Sequence, residues 1–197
     1  MKSSFIENSI LTISKTRDLT SLDEKKLRYG LEGFYNLFTK TIVMTILAII
    51  LQIIPEYLLL TFVYSTLRLY GFGIHMKTSL QCWFTTLPIY IGGCLLIKNI
   101  IVSPIINILI FVIGFLSFLF FAPADTPSRP LIHKEKRIRA KILSLVILTC
   151  YVLIFLYVPY SLVQNTILYG IIMESISINP LTYKLFHTPF NNYKNFK

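Results

Sequence analysis

His75 and Cys82 are the pair of residues in this chain with evident nucleophile chemistry. A Cys thiolate activated by a nearby imidazole is a covalent catalyst of acyl transfer. Both lie in RLYGFGIHMKTSLQC, residues 68–82, which also carries Arg68, Gly71, Gly73 and Lys77. The two residues are seven apart. On a straight helix they would share a face but stand about 10 Å apart along the axis. A working pair needs an approach of about 3 Å, so a straight helix through both fails. The spacing therefore predicts a bent or irregular segment from Gly71 to Ser79 that folds His75 back. Gly71 and Gly73 supply the bending freedom, and Thr78 or Ser79 can cap a helix starting just before Cys82. A thiol in the first turn of a helix is favoured as thiolate, and Lys77 and Arg68 would push the same way. A structural reading stands beside this one. A His and a Cys near an interface often only pack, and Arg68 at the end of a span can snorkel to the headgroups. Against it, clustered Arg, His and Lys at membrane depth are costly and mark function.

The elements that must position this segment are apolar. The chain has 197 residues, 54% of them hydrophobic, and only 14% charged; soluble domains carry about 25% charged residues. Its mean hydropathy is +0.66. A single soluble core could not hide so much apolar surface, so the class is a membrane protein. At about 20 apolar residues per span, the length leaves no room for a separate soluble catalytic domain. The charges, net +10, fall in short segments between apolar runs, which disfavours a nucleic-acid-binding face. Cys82, Cys94 and Cys150 contain no CxxC, and the latter two lie inside apolar runs. They suggest neither a disulfide scaffold nor a metal site. Residues 1–14 do not read as a secretory signal.

The expected architecture is all-α and polytopic, with about six short transmembrane helices. Residues 1–38 form an N-terminal amphipathic region. Ile6, Ile10 and Ile13 share a helical face, Ser21 and Glu24 form a candidate capping box, and Leu27, Leu31, Phe34, Tyr35 and Phe38 repeat at helical spacing. This region either lies on the membrane surface or packs on the bundle. A membrane-embedded domain, 39–178, follows, with spans over about 39–54, 57–72, 80–97, 100–121, 142–158 and 160–178 and a kink at Pro88. The tail, 179–197, is polar and aromatic. With the N-terminus inside, only Lys98 of the 19 Lys and Arg falls on the outer side. The positive-inside rule selects that orientation, with both termini cytoplasmic in a cell membrane.

A second segment, APADTPSRPLIHKEKRIRAK at 122–141, gathers Asp125 and a basic cluster including Lys134, Lys136, Arg137 and Arg139. The cluster is either a topology anchor that attracts anionic lipid or a docking surface for an acidic peptide. Asp125 either orients His75 or pairs with a base such as Arg68, or it simply makes an Asx-turn that ends the fourth span.

Taken together, Arg68, GFGIH at 71–75, Cys82 and APADT at 122–126 before a basic cluster resemble the accessory gene regulator B family. These are membrane cysteine endopeptidases of bacterial quorum sensing, and the resemblance covers essentially the whole chain. Two departures are Phe72 between the glycines and Met76 after the His; neither removes a reactive group. The resemblance implies Cys82 as nucleophile and His75 as its base, with Arg68 and Gly73 at other positions the family needs. The implied reaction removes the C-terminal tail of a signal-peptide precursor that has an amphipathic leader and an acidic tail. An acyl-thioester on Cys82 is then resolved by a Cys or Ser of the peptide, giving a cyclic thiolactone or lactone. Water exclusion protects such an intermediate, and an acidic tail gives the basic loop a partner. No metal or organic cofactor is implied. Polar residues in the spans suit a homodimer. The competing class is a small transporter or channel without covalent chemistry, for which inverted repeats are the expected mark; none is clear.

Overall fold

A computed structural model of the chain describes residues 2–15, 19–76, 78–127 and 129–196. Lys77 lies outside the described residues. Among these the protein is all-α, as its hydropathy pattern predicts, and no strand is formed. Four helices are long and apolar enough to cross a membrane: 21–50, 79–99, 104–121 and 134–157.

The first unit, residues 1–50, is a pair of helices. α1 (Lys2–Ser14) buries Ile6 and Ile10. It runs antiparallel to α2 (Ser21–Ile50), since Lys2 faces Glu32 at 3.7 Å and Glu7 faces Arg28 at 3.9 Å. These exposed pairs set direction and contribute little energy. The cap of α2 sits one residue earlier than the Ser21–Glu24 box. The Thr20 hydroxyl accepts from the Asp23 N–H at 3.2 Å, and Asp23 Oδ2 accepts in return from Thr20. Both frames have the same residue pattern, and the one that closes is decided by where the chain enters. The sequence places a boundary near 38 between an amphipathic region and the first span, without a helix break between them. Both lie on one helix, since α2 is continuous for 30 residues, about 45 Å at the α-helical rise. Nothing at 36–40 (Asn, Leu, Phe, Thr, Lys) breaks a helix.

The second unit, residues 51–197, holds the site. After a turn with Gln52 at φ 56°, α3 (Ile54–Gly71) starts with Pro55 in its first turn. That position suits proline because its missing N–H would be unpaired there anyway. The segment expected as the third span is built from α4 (Ser79–Leu87), a π-turn at Pro88–Gly92 and α5 (Gly93–Asn99). The expected kink at Pro88 takes this form, since proline removes one i→i−4 bond and the helix widens around it. α6 (Pro104–Phe121), α7 (Lys134–Tyr157) and α8 (Ser161–Ile178) follow. α8 is the central helix, packed on α3, α5, α6 and α7. Val63, Leu67, Phe118, Leu148, Ile167 and Ile171 meet around it in one core.

The connections sort to two ends. At one, Lys98 donates to the Gln52 carbonyl and Asn165 donates to the carbonyls of Ile97 and Ile100. At the other, residues 72–74 meet 124 and 177. The tail, polar and aromatic in sequence, packs onto this end. α9 (Pro180–Leu185) buries Tyr183, and a 3-10 turn follows at 192–196.

Candidate active site

The His-bearing segment is a strap of irregular backbone, as the spacing required. α3 ends at Gly71, and Phe72 turns the chain with φ 66°. Residues 72–76 are not helical. Three backbone hydrogen bonds fix the strap. Gly73 N–H donates to the Ala124 carbonyl at 2.9 Å, Ala124 N–H donates to the Gly71 carbonyl at 2.9 Å, and Ile74 N–H donates to the Ser177 carbonyl at 3.0 Å. Gly73 is required twice over. Its φ is +93°, and a Cβ there would collide with the Ser177 hydroxyl; L-residues avoid that backbone region.

Arg68 secures the other side of the strap. Its guanidinium donates to the Ile74 carbonyl, to the Tyr64 hydroxyl at 2.9 Å and to the Ser177 hydroxyl at 2.5 Å, and it faces the Glu174 carboxylate at 3.6 Å. Glu174 is fully buried. It also explains Gly71, where a Cβ would stand 2.5 Å from Glu174 Oε1. Both backbone groups of Ile74, the residue before His75, are thus held, its N–H by Ser177 and its carbonyl by Arg68, while the His75 side chain remains exposed. Surrounding protein, then the positive charges of Arg68 and Arg129, push the imidazole down to about 4. The exposed edge tempers the contribution of burial, but both cations act in the same direction. His75 therefore stands neutral at physiological pH, the form a general base must have.

Cys82 stands at the start of the next helix. Thr78 is the N-cap of α4, with its hydroxyl accepting from Gln81 N–H at 3.2 Å. The Cys82 N–H closes the first turn on the Thr78 carbonyl at 3.1 Å. Cys82 is the fourth helical residue and half-buried, with its sulfur 3.8 Å from the Thr86 hydroxyl. A cavity of about 200 Å³ opens beside this arrangement and is lined by His75, Met76, Gln81, Phe186, His187 and Thr188. His75 and the neighbour of Cys82 thus face one space. Cys94 is buried in α5 and Cys150 exposed on α7, away from the strap in sequence and in element.

The second segment is placed differently from either catalytic expectation for Asp125. The Asp125 carboxylate is buried and accepts backbone N–H bonds from Leu131 at 3.2 Å, Asn192 at 2.8 Å and Tyr193 at 2.9 Å. Neither His75 nor Arg68 is among these partners. An Asx-turn is not what it forms either, since residue 127 is a proline without an N–H; the carboxylate bonds Leu131 six residues on and reaches 67 residues along the chain to fix the tail. Lys134, Lys136 and Arg139 are exposed on the first turns of α7. Arg137 is engaged within the protein, donating to the carbonyls of Leu131 and Ile132 and stacking over the Tyr193 ring at 4.0 Å. The partners of Arg68 were not foreseen. Their available signal was Glu174, a lone carboxylate within an apolar helix, since such groups are retained at membrane depth only with a partner.

These features define an all-helical membrane protein with a histidine strap and a cysteine at a helix start, gathered at one end of a helical unit. The chain belongs to the accessory gene regulator B family, whose model matches residues 6–178. It is 31% identical over 175 residues to an AgrB-like protein of Listeria innocua, covering 87% of this chain and 84% of the relative. An AgrB-like protein of Clostridium acetobutylicum is 26% identical over 187 residues, 95% of this chain and 90% of the relative. The accessory gene regulator protein B of Staphylococcus haemolyticus is 30% identical over 176 residues, 89% and 93%. No solved structure matches the chain. Family membership supports a role in accessory gene regulator quorum sensing.

Proposed function

We propose that the protein is a membrane-embedded cysteine endopeptidase that trims and cyclises a signal-peptide precursor. The observation that carries this is the strap. Its backbone is fixed by Ala124, Ser177 and Arg68, while its one reactive side chain, His75, faces a cavity beside the helix that carries Cys82 in its first turn. Fixing a base by its backbone while freeing its ring is what general-base geometry needs.

In this reading His75 takes the Cys82 thiol proton as sulfur attacks the carbonyl carbon at the cut site. The C–N bond breaks, the proton passes from imidazolium to the departing amine, and the C-terminal fragment leaves. The remaining peptide is an acyl-thioester on Cys82. A thiol or hydroxyl of the same peptide then attacks that carbonyl, gives its proton to His75 and closes the ring, and Cys82 departs and regains its proton. The cut is placed at the cytoplasmic surface, where the precursor's leader would lie on the bilayer. Lys134, Lys136 and Arg139, being exposed, suit an acidic segment of the precursor; Arg68 and Gly73 shape the site.

Co-expression with the precursor tests the chemistry. Cys82→Ser should abolish tail release, whereas Cys94→Ser and Cys150→Ser should not; full cleavage by Cys82→Ser would end the protease reading. Membrane-impermeant amine labelling tests the orientation. Lys98 should react from outside intact cells and Lys134 only after permeabilisation, and the reverse pattern would overturn the cytoplasmic placement.

A further inference from the structure

Half of the cavity wall beside His75 comes from the C-terminal tail, beyond residue 178 where the family match ends. We propose that the turn Phe186–Thr188 is the wall of a subsite for a substrate residue next to the scissile bond, and so sets which residue is accepted there. This rests on the peptidase reading above.

The tail is built to hold that turn in place. Tyr183 is fully buried, donates its hydroxyl to the Ala124 carbonyl at 2.9 Å and meets the Phe190 ring edge-on at 5.1 Å. Beyond the turn, the Asn192 and Tyr193 N–H groups end on the buried Asp125 carboxylate, and Arg137 stacks on Tyr193. The turn is therefore clamped on both sides. Within it, His187 N–H donates to the Lys184 carbonyl at 3.1 Å and Thr188 N–H to the Tyr183 carbonyl at 2.9 Å. His187 has φ 49°, a sparsely used conformation kept where surrounding structure over-determines it. The same carbonyl, that of Ala124, accepts from both Gly73 of the strap and Tyr183 of the tail. Strap and tail are thus registered on one atom, and a wall so fixed can discriminate shape rather than adapt to it.

The lining gives the chemistry of the occupant. Met76 and Phe186 are apolar, while Gln81, His187 and Thr188 bring hydrogen-bonding groups. At about 200 Å³ the space is smaller than the roughly 300–1,000 Å³ of drug-sized pockets. It suits one or two residues of an extended peptide. The matching residue has an apolar stem and a hydrogen-bonding head.

The test uses the full chain in proteoliposomes and a panel of precursors carrying Ala, Ser, Leu, Gln or Phe beside the cut. Phe186→Ala enlarges the space and Phe186→Trp fills it. The first should raise kcat/KM for the bulky residues relative to Ala, and the second should lower it, by about tenfold in each direction. Alkylation of Cys82 by iodoacetamide should stay within about twofold of wild type in both variants. Leu185→Ala, exposed on α9 and outside the cavity, should leave the ranking unchanged. Opposite shifts from Ala and Trp cannot come from general loss of folding. An unchanged ranking in both Phe186 variants, or equal losses across the whole panel, overturns the subsite. Cys82→Ala run alongside separates the two readings. If it still cuts, the peptidase assignment fails; if it is inactive and the ranking does not move, only the subsite fails.

Discussion

The strap at 72–76 and the loop at 122–133 lie side by side, yet the protein uses them in opposite ways. In the strap the backbone is consumed by hydrogen bonds and the His75 side chain is left exposed. In the loop the notable side chain, Asp125, is itself consumed, buried under three backbone N–H groups. A reactive side chain must be free to meet substrate, while the peptide carrying it must not move. A bracing carboxylate must be the reverse, since a buried charge is tolerated only when its hydrogen bonds are satisfied. Two polar residues that look alike in an apolar sequence are separated by this difference.

The largest expected effect tests the strap. His75→Ala should lower precursor cleavage by about 10²–10⁴-fold with little change in thermal stability. A stable variant with near-normal cleavage would remove His75 from the chemistry. Asp125→Ala should do the opposite and reduce stability first. It leaves the N–H groups of Leu131, Asn192 and Tyr193 without their acceptor, a loss of about 2–4 kcal/mol read from thermal unfolding in detergent. If Asp125→Ala unfolds at the wild-type temperature yet is inactive, Asp125 belongs with the reactive groups and the contrast collapses.

A smaller effect concerns proton affinity. With His75 at about 4, the base is neutral across the physiological range, so the acid limb of kcat/KM should lie near pH 4 rather than near the ordinary value of about 6.5. Arg129→Ala removes one of the cations that hold this value down. The imidazole then gains a proton more easily, and the limb should move up in pH. A limb unmoved by Arg129→Ala would show that this charge does not act on the imidazole during turnover. The smallest effect concerns the basic helix start. Neutralising Lys134, Lys136 and Arg139 to Gln should raise KM several-fold, more at low salt than at high, and leave alkylation of Cys82 unchanged. If KM holds at low salt, the cluster serves orientation alone.

Composition and periodicity alone determined much. Too many apolar residues for a soluble core dictate a membrane protein, and unbroken apolar runs dictate helices, because backbone groups in lipid must bond within their own segment. The seven-residue gap between His75 and Cys82, with two glycines before it, excluded a straight helix, and the local sequence supplied the Thr78 cap. These are local rules, and local sequence suffices for them. Three things only the tertiary structure decided. Arg68 could have faced water, Asp125 or Glu174; it faces Glu174 because α3 and α8 pack at that level, 106 residues apart in sequence. Asp125 reads as a turn residue until Asn192 and Tyr193 arrive. The tail, polar and aromatic by composition, becomes part of the cavity wall because buried Tyr183 finds the Ala124 carbonyl. Each depends on which distant groups meet, and side-chain type fixes only what a residue can bond to, not which partner the packed helices bring within reach.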